Sequence, residues 1–329
     1  MALDKMVDSA QLDSNLKSVA DAIRAKAETE DLLAFPDGFV EAVDSIPVSK
    51  ADAELVEQFR RVCTRDTQTP ITSIPDDITS IGDYAFHSCA NLALTSLPSG
   101  VTSIGNYAFY SCTKLALTSL PSGVTSIGSN AFYGCAKLAL TSLPSGLTSI
   151  ENYAFYGCAN LALPSLPSGL TSIGIYAFCG CANLALTSLP SGVTSIGSNA
   201  FYRCAKLALT SLPSGLTSIP YEGFMNSGIK ISQLPPQVTT IGAEAFRQCN
   251  NIKTMVFPAS MLFIGSWAFY SCNILTSVTF EGTPKEINRA AFQGSFNLTT
   301  INVPWAEGAV ANAPWGATNA TITYNYTGE

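Results

Sequence analysis

The chain has 329 residues, of which 47% are hydrophobic and only 12% are charged, whereas about 25% of the residues of an ordinary soluble domain carry a charge. Residues 1–60 hold 6 basic and 13 acidic residues and so account for the whole net charge of −7. The balanced remainder lacks the basic excess that binding to nucleic acid or to an anionic lipid surface requires. No apolar run reaches the ~18 residues of a membrane-spanning helix, so membrane insertion is not predicted either.

Apolar residues near the N-terminus recur at helical spacing. Four of them, spaced 4, 3 and 4 residues apart, predict an apolar stripe on a helix from about Asp8 to Ala27. The stripe fits packing within one small domain, or packing between the helices of several chains, which would make the protein a homo-oligomer. The stripe residues are Leu12, Leu16, Val19 and Ile23.

Two shorter helices are predicted next, one after Pro36 and one over about residues 51–63. The sequence therefore predicts a helical attachment or oligomerisation domain over residues 1–50 and an N-terminal capping helix over residues 51–69. The first residues contain no apolar core before a small-residue cleavage site, so a secretory signal is not predicted.

Residues 70–303 are dominated by a repeat of 23 residues. A phenylalanine, an isoleucine five residues before it and, in most units, a cysteine three residues after it recur in one register, with a single step of 22. Such a period is typical of a leucine-rich solenoid, in which each unit buries its apolar side only against its neighbours. We count ten units from the phenylalanine column, which is Phe86, Phe109, Phe132, Phe155, Phe178, Phe201, Phe224, Phe246, Phe269 and Phe292.

Six units contain a Pro-Ser-Gly segment, which predicts a turn whose glycine accepts a positive φ. Strands are expected over the Leu-x-Leu-x-x-Leu-Pro segment, although its apolar residues do not alternate strictly and leave the strand register open. The cysteines are expected to be free thiols, because stacked coils point their Cβ atoms in parallel directions.

The units resemble the BspA-like branch of leucine-rich repeats, whose Val-x-x-Ile-Gly-x-x-Ala-Phe-x-x-Cys pattern is matched by VTSIGNYAFYSC at residues 101–112. The resemblance covers about residues 70–303 and implies an α+β solenoid of about ten coils, with the helical domain before it and a β cap after it. Six units depart from the family pattern where it has the first isoleucine of a strand, which leaves the strand packing there open. They carry Thr95, Thr118, Thr141, Pro164, Thr187 and Thr210.

Residues 304–329 are predicted to form the C-terminal cap. The alternating segment from Thr321 to Tyr326 predicts a final strand over the last coil. We expect Trp305 and Trp315 to be structural residues of this cap rather than a ligand site.

No enzymatic centre is predicted. His87, the single histidine, is expected to be an exposed surface residue, and no Ser-His-Asp or Cys-His arrangement can be built around it. The cysteines occur one per coil, so neither a metal site nor any other cofactor site is expected, and the repeats contain almost no paired carboxylates for glycosidase chemistry.

Two residue columns are candidate ligand-binding surfaces. A tyrosine column directly follows the phenylalanines and could stack on sugars or dock a partner, or simply shield the convex side of each coil. A serine column on the Leu-x-Leu segment is a competing ligand surface, or a solubilising one. The tyrosines are Tyr110, Tyr133, Tyr156, Tyr202 and Tyr270, and the serines are Ser96, Ser119, Ser142, Ser165, Ser188 and Ser211.

The N-terminal segments LDKMVDS at residues 3–9, SVADAIR at 18–24 and FPDGF at 35–39 are similar to the N-termini of predicted virion or tail-associated proteins of Firmicutes prophages. This resemblance implies a virion component, fibre-like or decorating, that contacts other virion proteins through its N-terminal domain. The solenoid would then bind a bacterial surface protein or glycan. The alternative is a bacterial cell-surface adhesin of the BspA type, and a third possibility is an intracellular interaction scaffold.

Overall fold

The computed structural model describes residues 72–74 and 76–328. These residues form a solenoid of successive coils built from short strands, turns and bends, and they contain no helix. The predicted helical domain over residues 1–50 and the predicted capping helix over residues 51–69 lie outside the described residues. The apolar stripe of Leu12, Leu16, Val19 and Ile23 lies there too.

A two-residue strand recurs once per coil at the isoleucine column. In each strand the isoleucine points into the core and the residue before it faces outward, so one strand per coil supplies one wall of the solenoid. These strands are β1 (Ser80–Ile81), β2 (Ser103–Ile104), β3 (Ser126–Ile127), β4 (Ser149–Ile150), β5 (Ser172–Ile173), β6 (Ser195–Ile196), β7 (Ser218–Ile219), β8 (Thr240–Ile241), β10 (Phe263–Ile264) and β12 (Glu286–Ile287).

A second parallel sheet of four strands forms only in the last coils. The strands expected over the Leu-x-Leu segments are therefore wrong for the six units from Leu92 to Leu212. The physical reason is spacing: Leu140 and Leu143 both point inward with two exposed residues between them, whereas a strand alternates with a period of two. The second sheet consists of β9 (Thr254–Phe257), β11 (Ser277–Phe280), β13 (Thr300–Asn302) and β14 (Thr321–Thr323), which pair in the order β14-β13-β11-β9.

The ten phenylalanines of the repeat form one continuous stack. Successive ring centroids lie 5.1–5.7 Å apart from Phe86 to Phe292, and every one of these rings is buried. This confirms the predicted solenoid, because a coil that buried its phenylalanine in a separate core would interrupt the stack. Each ring covers the next, so no coil has a complete core alone.

The turn glycines do not adopt the positive φ that the sequence suggested. The Pro-Ser-Gly segments do turn, but positive φ values occur instead two residues before the phenylalanine in the first nine coils and two residues after it in all ten. In the second coil these are Tyr107, with φ 55°, and Ser111, with φ 57°. In these coils the left-handed residues bracket the three residues centred on the phenylalanine and reverse the chain on both sides of them.

The isoleucine strands are interrupted twice along the solenoid. A glycine normally follows the isoleucine and lets successive coils approach: a Cβ added to Gly174 would lie 2.6 Å from the backbone nitrogen of Asn152. The pairing stops between β3 and β4 and between β6 and β7, where the residue after the isoleucine of the later strand is Glu151 and Pro220. The missing N–H of Pro220 accounts for the second break. A side chain at this position does not by itself stop the pairing, because Asn288 keeps its bond to Ile264.

The C-terminal residues form a further, irregular coil. The strand predicted from Thr321 is present as β14, which pairs in parallel with β13. Trp315 is fully buried, and its carbonyl accepts the Phe292 N–H at 3.0 Å, as an alanine carbonyl does in earlier coils. The Trp315 ring contacts those of Phe280 and Trp305, at centroid distances of 6.2 and 6.4 Å, and so belongs to the core of this last coil.

Candidate ligand-binding faces

The tyrosine face consists of the residues directly after and two before each phenylalanine. Tyr110, Tyr133 and Tyr156 are half-buried and stack in a row, with centroid separations of 4.6 and 4.4 Å. Tyr153 and Tyr176 form a parallel pair beside them at 4.9 Å. The stacking follows from the fold, because equivalent residues of neighbouring coils lie about one strand spacing, ~4.8 Å, apart.

Stacking on a sugar, one of the roles expected for the tyrosines, does not fit the interior of this row. Each inner ring has both faces covered by its neighbours, so edges and hydroxyl groups face the solvent. A sugar that stacks on an aromatic residue needs a free ring face. The geometry thus favours the alternative expectation, in which the tyrosines shield the coils.

The tyrosine row has identifiable ends. His87 is half-buried rather than exposed, contrary to expectation, because its ring stacks on Tyr110 at 4.8 Å. Ser88 Oγ lies 3.0 Å from His87 Nδ1. At the other end Cys179 replaces a tyrosine, and burial raises the pKa of its thiol to about 11. The pKa of Tyr156 is also raised. The largest cause is the neighbouring Cys179, and burial of the phenol is the second.

The predicted tyrosines beyond Cys179 are not part of the row. Tyr202 lies under the Arg203 guanidinium at 5.0 Å, and Tyr270 lies under that of Arg247 at 5.0 Å. Arg247 also pairs with Glu244 at 2.6 Å. The tyrosine face therefore changes from an aromatic row to a mixed aromatic and charged surface along the solenoid.

The serine face consists of the six predicted serines, all of which are exposed. Each follows an exposed threonine or proline, and the Thr141 hydroxyl donates to the Thr118 carbonyl at 3.4 Å. Turns and buried residues separate these serines from the tyrosines of the same coil. The structure therefore does not bring the two candidate sets into one site.

The cysteine column has a role that the sequence interpretation missed. Each thiol from Cys112 to Cys272 in this column donates to the carbonyl of a phenylalanine in the preceding coil, as in the 3.0 Å contact from Cys135 Sγ to Phe109 O. Burial raises the pKa of Cys135 to about 12. A sequence signal existed: Ser227 and Ser295, which share only hydrogen bonding and small size with cysteine, occupy the same column.

The described cysteines are all free thiols. Among residues 72–74 and 76–328, no group of three or more His, Cys, Asp and Glu side chains is placed to hold a metal ion. In the same part of the chain, no helix has the length and apolar character needed to cross a bilayer.

A parallel stack of coils with a leucine-rich core and two repetitive outer faces defines the protein as a leucine-rich-repeat solenoid. The family model for the BspA type leucine rich repeat region matches residues 62–185 and 217–307, with six copies. The chain belongs to this family, as its repeat units indicated. Solenoids of this class present extended surfaces for binding.

Solved structures of bacterial leucine-rich-repeat proteins share the fold. One from Bacteroides ovatus is 25% identical, with a TM-score of 0.52, and the match covers 77% of this chain and 68% of that one. A leucine rich cell surface protein from Faecalibacterium prausnitzii is 27% identical, with a TM-score of 0.51 and coverage of 81% and 82%. No curated protein matches the chain.

Proposed function

We propose that the protein is a non-enzymatic adhesin that acts at a bacterial surface, with the solenoid as its binding part. The observation that carries this is the uninterrupted phenylalanine stack, which joins ten coils in one continuous core while the outward positions repeat and take no part in that core. Membership of the BspA type family and the similarity to a leucine rich cell surface protein support display at a surface.

A binding role suits the uniformity of the outer faces better than catalysis does. Catalysis needs a few unlike side chains that converge on one reacting atom. The repeat instead presents the same serine or tyrosine in coil after coil, which gives many weak, equivalent contacts along one axis. Such contacts raise the overall affinity for a partner that also repeats.

The virion hypothesis rests on residues 3–39, which lie outside the described part, and neither the family match nor the structural neighbours support it. It stays a prediction from the sequence, as does the intracellular scaffold. The adhesin, the alternative in the sequence interpretation, is the function that the family supports.

Localisation tests the proposal directly. Antibodies raised against the solenoid should label intact cells that make the protein, and brief protease treatment of those cells should remove the signal. Purified solenoid added in excess should also reduce attachment of the same cells to their target. Recovery of the protein in purified phage particles, or labelling only after lysis, would overturn the proposal.

The serine face offers a matched pair of variants for the attachment assay. Changing Ser119, Ser142 and Ser165 to Asp places three charges on an exposed face without touching the core. The same number of Asp substitutions at the turn serines Ser122, Ser145 and Ser168, which are also exposed, is the control. We expect the first variant to lose its ability to reduce cell attachment when added as purified protein, and the control variant to keep it.

A further inference from the structure

Five of the six lysines in the described residues lie on one side of the solenoid. We define the lysine side as the five residues that follow the cysteine column in each coil. Within the described residues up to 260, every lysine belongs to this side and is exposed, and no aspartate or glutamate occurs on it in any coil described. The lysines are Lys114, Lys137, Lys206, Lys230 and Lys253.

The fold does not require lysine at these positions. In other coils the position of Lys206 holds asparagine, and the Asn183 amide donates to the Ala159 carbonyl of the preceding coil at 2.9 Å. The position of Lys253 holds threonine in the following coil, where Thr276 donates to the Lys253 carbonyl. The lysines thus stand where other coils carry residues that bond neighbouring coils. Lys114 makes such a bond itself, because its ammonium donates to Asn91 Oδ1 of the preceding coil at 2.6 Å. Lysine is therefore one of several residue types that serve here, and its exposed stem adds nothing to the core.

The acidic residues of the same coils lie elsewhere. Asp83, Glu151, Glu222 and Glu244 all follow the isoleucine column, at the turn that leads to the tyrosine face. The lysine side therefore carries cations and no anions, whereas the acidic residues lie towards the tyrosine face, which also holds Arg203 and Arg247. A surface with one sign of charge produces a potential that attracts an extended anion.

The spacing of the charges selects the kind of anion. Five lysines across seven coils of ~4.8 Å give about one charge per 6–7 Å. Double-stranded DNA carries one negative charge per ~1.7 Å, so this array is too sparse to neutralise it. The lysines are flanked by the half-buried Asn91 and the exposed Asn160. Lys114, Lys137 and Lys206 are each followed, four and five residues later, by an exposed threonine and a serine of the serine face. Such neutral groups can hydrogen-bond the hydroxyls of a sugar.

We propose that the lysine side binds a linear acidic glycan, which lies along the solenoid axis with its carboxylate or sulfate groups on the lysines and its hydroxyls on the serine face. This inference rests on the proposed function, since it names the ligand class of the same solenoid. It combines the predicted serine column with five residues to which the sequence interpretation gave no role.

The repeat itself supplies the test variants. Lys114→Asn, Lys137→Asn and Lys206→Asn together introduce the residue that neighbouring coils carry at the same position. The control removes three cations from other sides, by Arg203→Gly, Lys285→Thr and Arg289→Ser, so that both variants have the same net charge. Circular dichroism and the melting temperature establish that both fold.

Binding is measured against immobilised hyaluronate, which carries carboxylates, and chondroitin sulfate, which adds sulfates, with dextran as the neutral polymer and duplex DNA as the phosphate polymer. We expect binding to one or both acidic glycans at low salt that is lost at about 0.5 M salt, where the screening length falls to a few ångströms. The lysine variant should bind about 3- to 100-fold more weakly, from three exposed charge contacts, and the control should bind as the natural chain does.

Absence of binding to both acidic glycans, an equal loss in the control, or tighter binding to DNA than to either glycan would each overturn the inference. These results are separate from the adhesin proposal. If the lysine variant still competes for attachment of intact cells, the protein remains an adhesin and the glycan assignment alone fails.

Discussion

Single residues in this solenoid are selected for what they do to the coil next to them. The thiol of the cysteine column donates to a phenylalanine carbonyl one coil away, and Ser295 makes the same bond to Phe269 at 2.6 Å. The column therefore requires a small donor rather than a sulfur atom. Burial makes the neutral donor form the favoured one, which raises the pKa of Cys135 and of Cys249 to about 12 from an ordinary value of 9.0.

The raised thiol pKa values predict an alkaline loss of stability. The unfolded chain releases thiol protons above about pH 9, whereas the folded chain holds them until about pH 12, so the stability these groups add is complete below pH 9 and is lost as the pH rises towards 12. Melting temperatures measured from pH 6 to 11 should be flat at first and then fall. The double variant Cys135→Ser, Cys249→Ser should fall less steeply and melt within a few degrees of the natural chain at pH 7. An unchanged alkaline slope would contradict this account.

The two-residue strands of neighbouring coils pair only where the backbones of the two coils can come close. Where glycine follows the isoleucine, the N–H of Gly174 reaches the Ile150 carbonyl at 2.8 Å and Thr171 reaches Thr148 at 2.9 Å. Where the chain has Glu151 or Pro220 instead, the strand pairing stops. A two-residue strand is thus a consequence of the distance between coils and not of local strand propensity.

Gly174→Ala should therefore destabilise the protein. The added Cβ would meet the Asn152 backbone at 2.6 Å, which forces the coils apart, and a forced fit of this kind costs about 1–3 kcal/mol. Gly169→Ala is the matched control, because its Cβ would lie at an ordinary 3.7 Å from Leu147 O. Urea unfolding of the two variants measures the difference, and equal midpoints would show that close approach is not what selects glycine.

The whole molecule is a one-dimensional stack, so its stability is a sum over coils and their interfaces. The phenylalanine stack, the hydrogen bonds of the cysteine thiols and the strand pairs all connect a coil only to its neighbours. Unlike a globular core, this arrangement has no centre whose loss would unfold the rest.

Deleting residues 113–158, which are two complete repeats, should leave a folded solenoid that is shorter by about 10 Å, since each coil adds ~4.8 Å. Small-angle scattering gives the length and thermal unfolding gives the lower stability expected for fewer interfaces. Deleting residues 113–146 instead breaks the register and should yield unfolded or aggregated protein. If the two deletions behaved alike, the coils would not be modular.

The columns of Phe109, Ile104 and Cys112 could be placed in the core from spacing alone, because residues that recur every 23 positions meet one another in any stack. The strand position could not be predicted in the same way. Leu138, Leu140 and Leu143 read as a strand by composition, yet their inward spacing of two and then three forces a bend.

The candidate faces show the same division. Exposure of the serine column followed from its place between buried leucines. The sequence did not show that Tyr110, Tyr133 and Tyr156 cover one another's ring faces, nor that His87 joins them, because ring orientation depends on χ angles and on the coil spacing. The left-handed residues were signalled only by the asparagines and glycines, such as Asn130 and Gly134, that stand where other coils carry Tyr and Ser.

By itself, the sequence determined that this protein is a stack of like coils with a phenylalanine spine, because periodicity is a property of the chain and survives any detail of geometry. Only the tertiary structure decided where the strands form, where their pairing breaks and which chemical groups face outward. Those features depend on contacts between residues 22 to 26 positions apart, whose distances are set by the approach of one coil to the next.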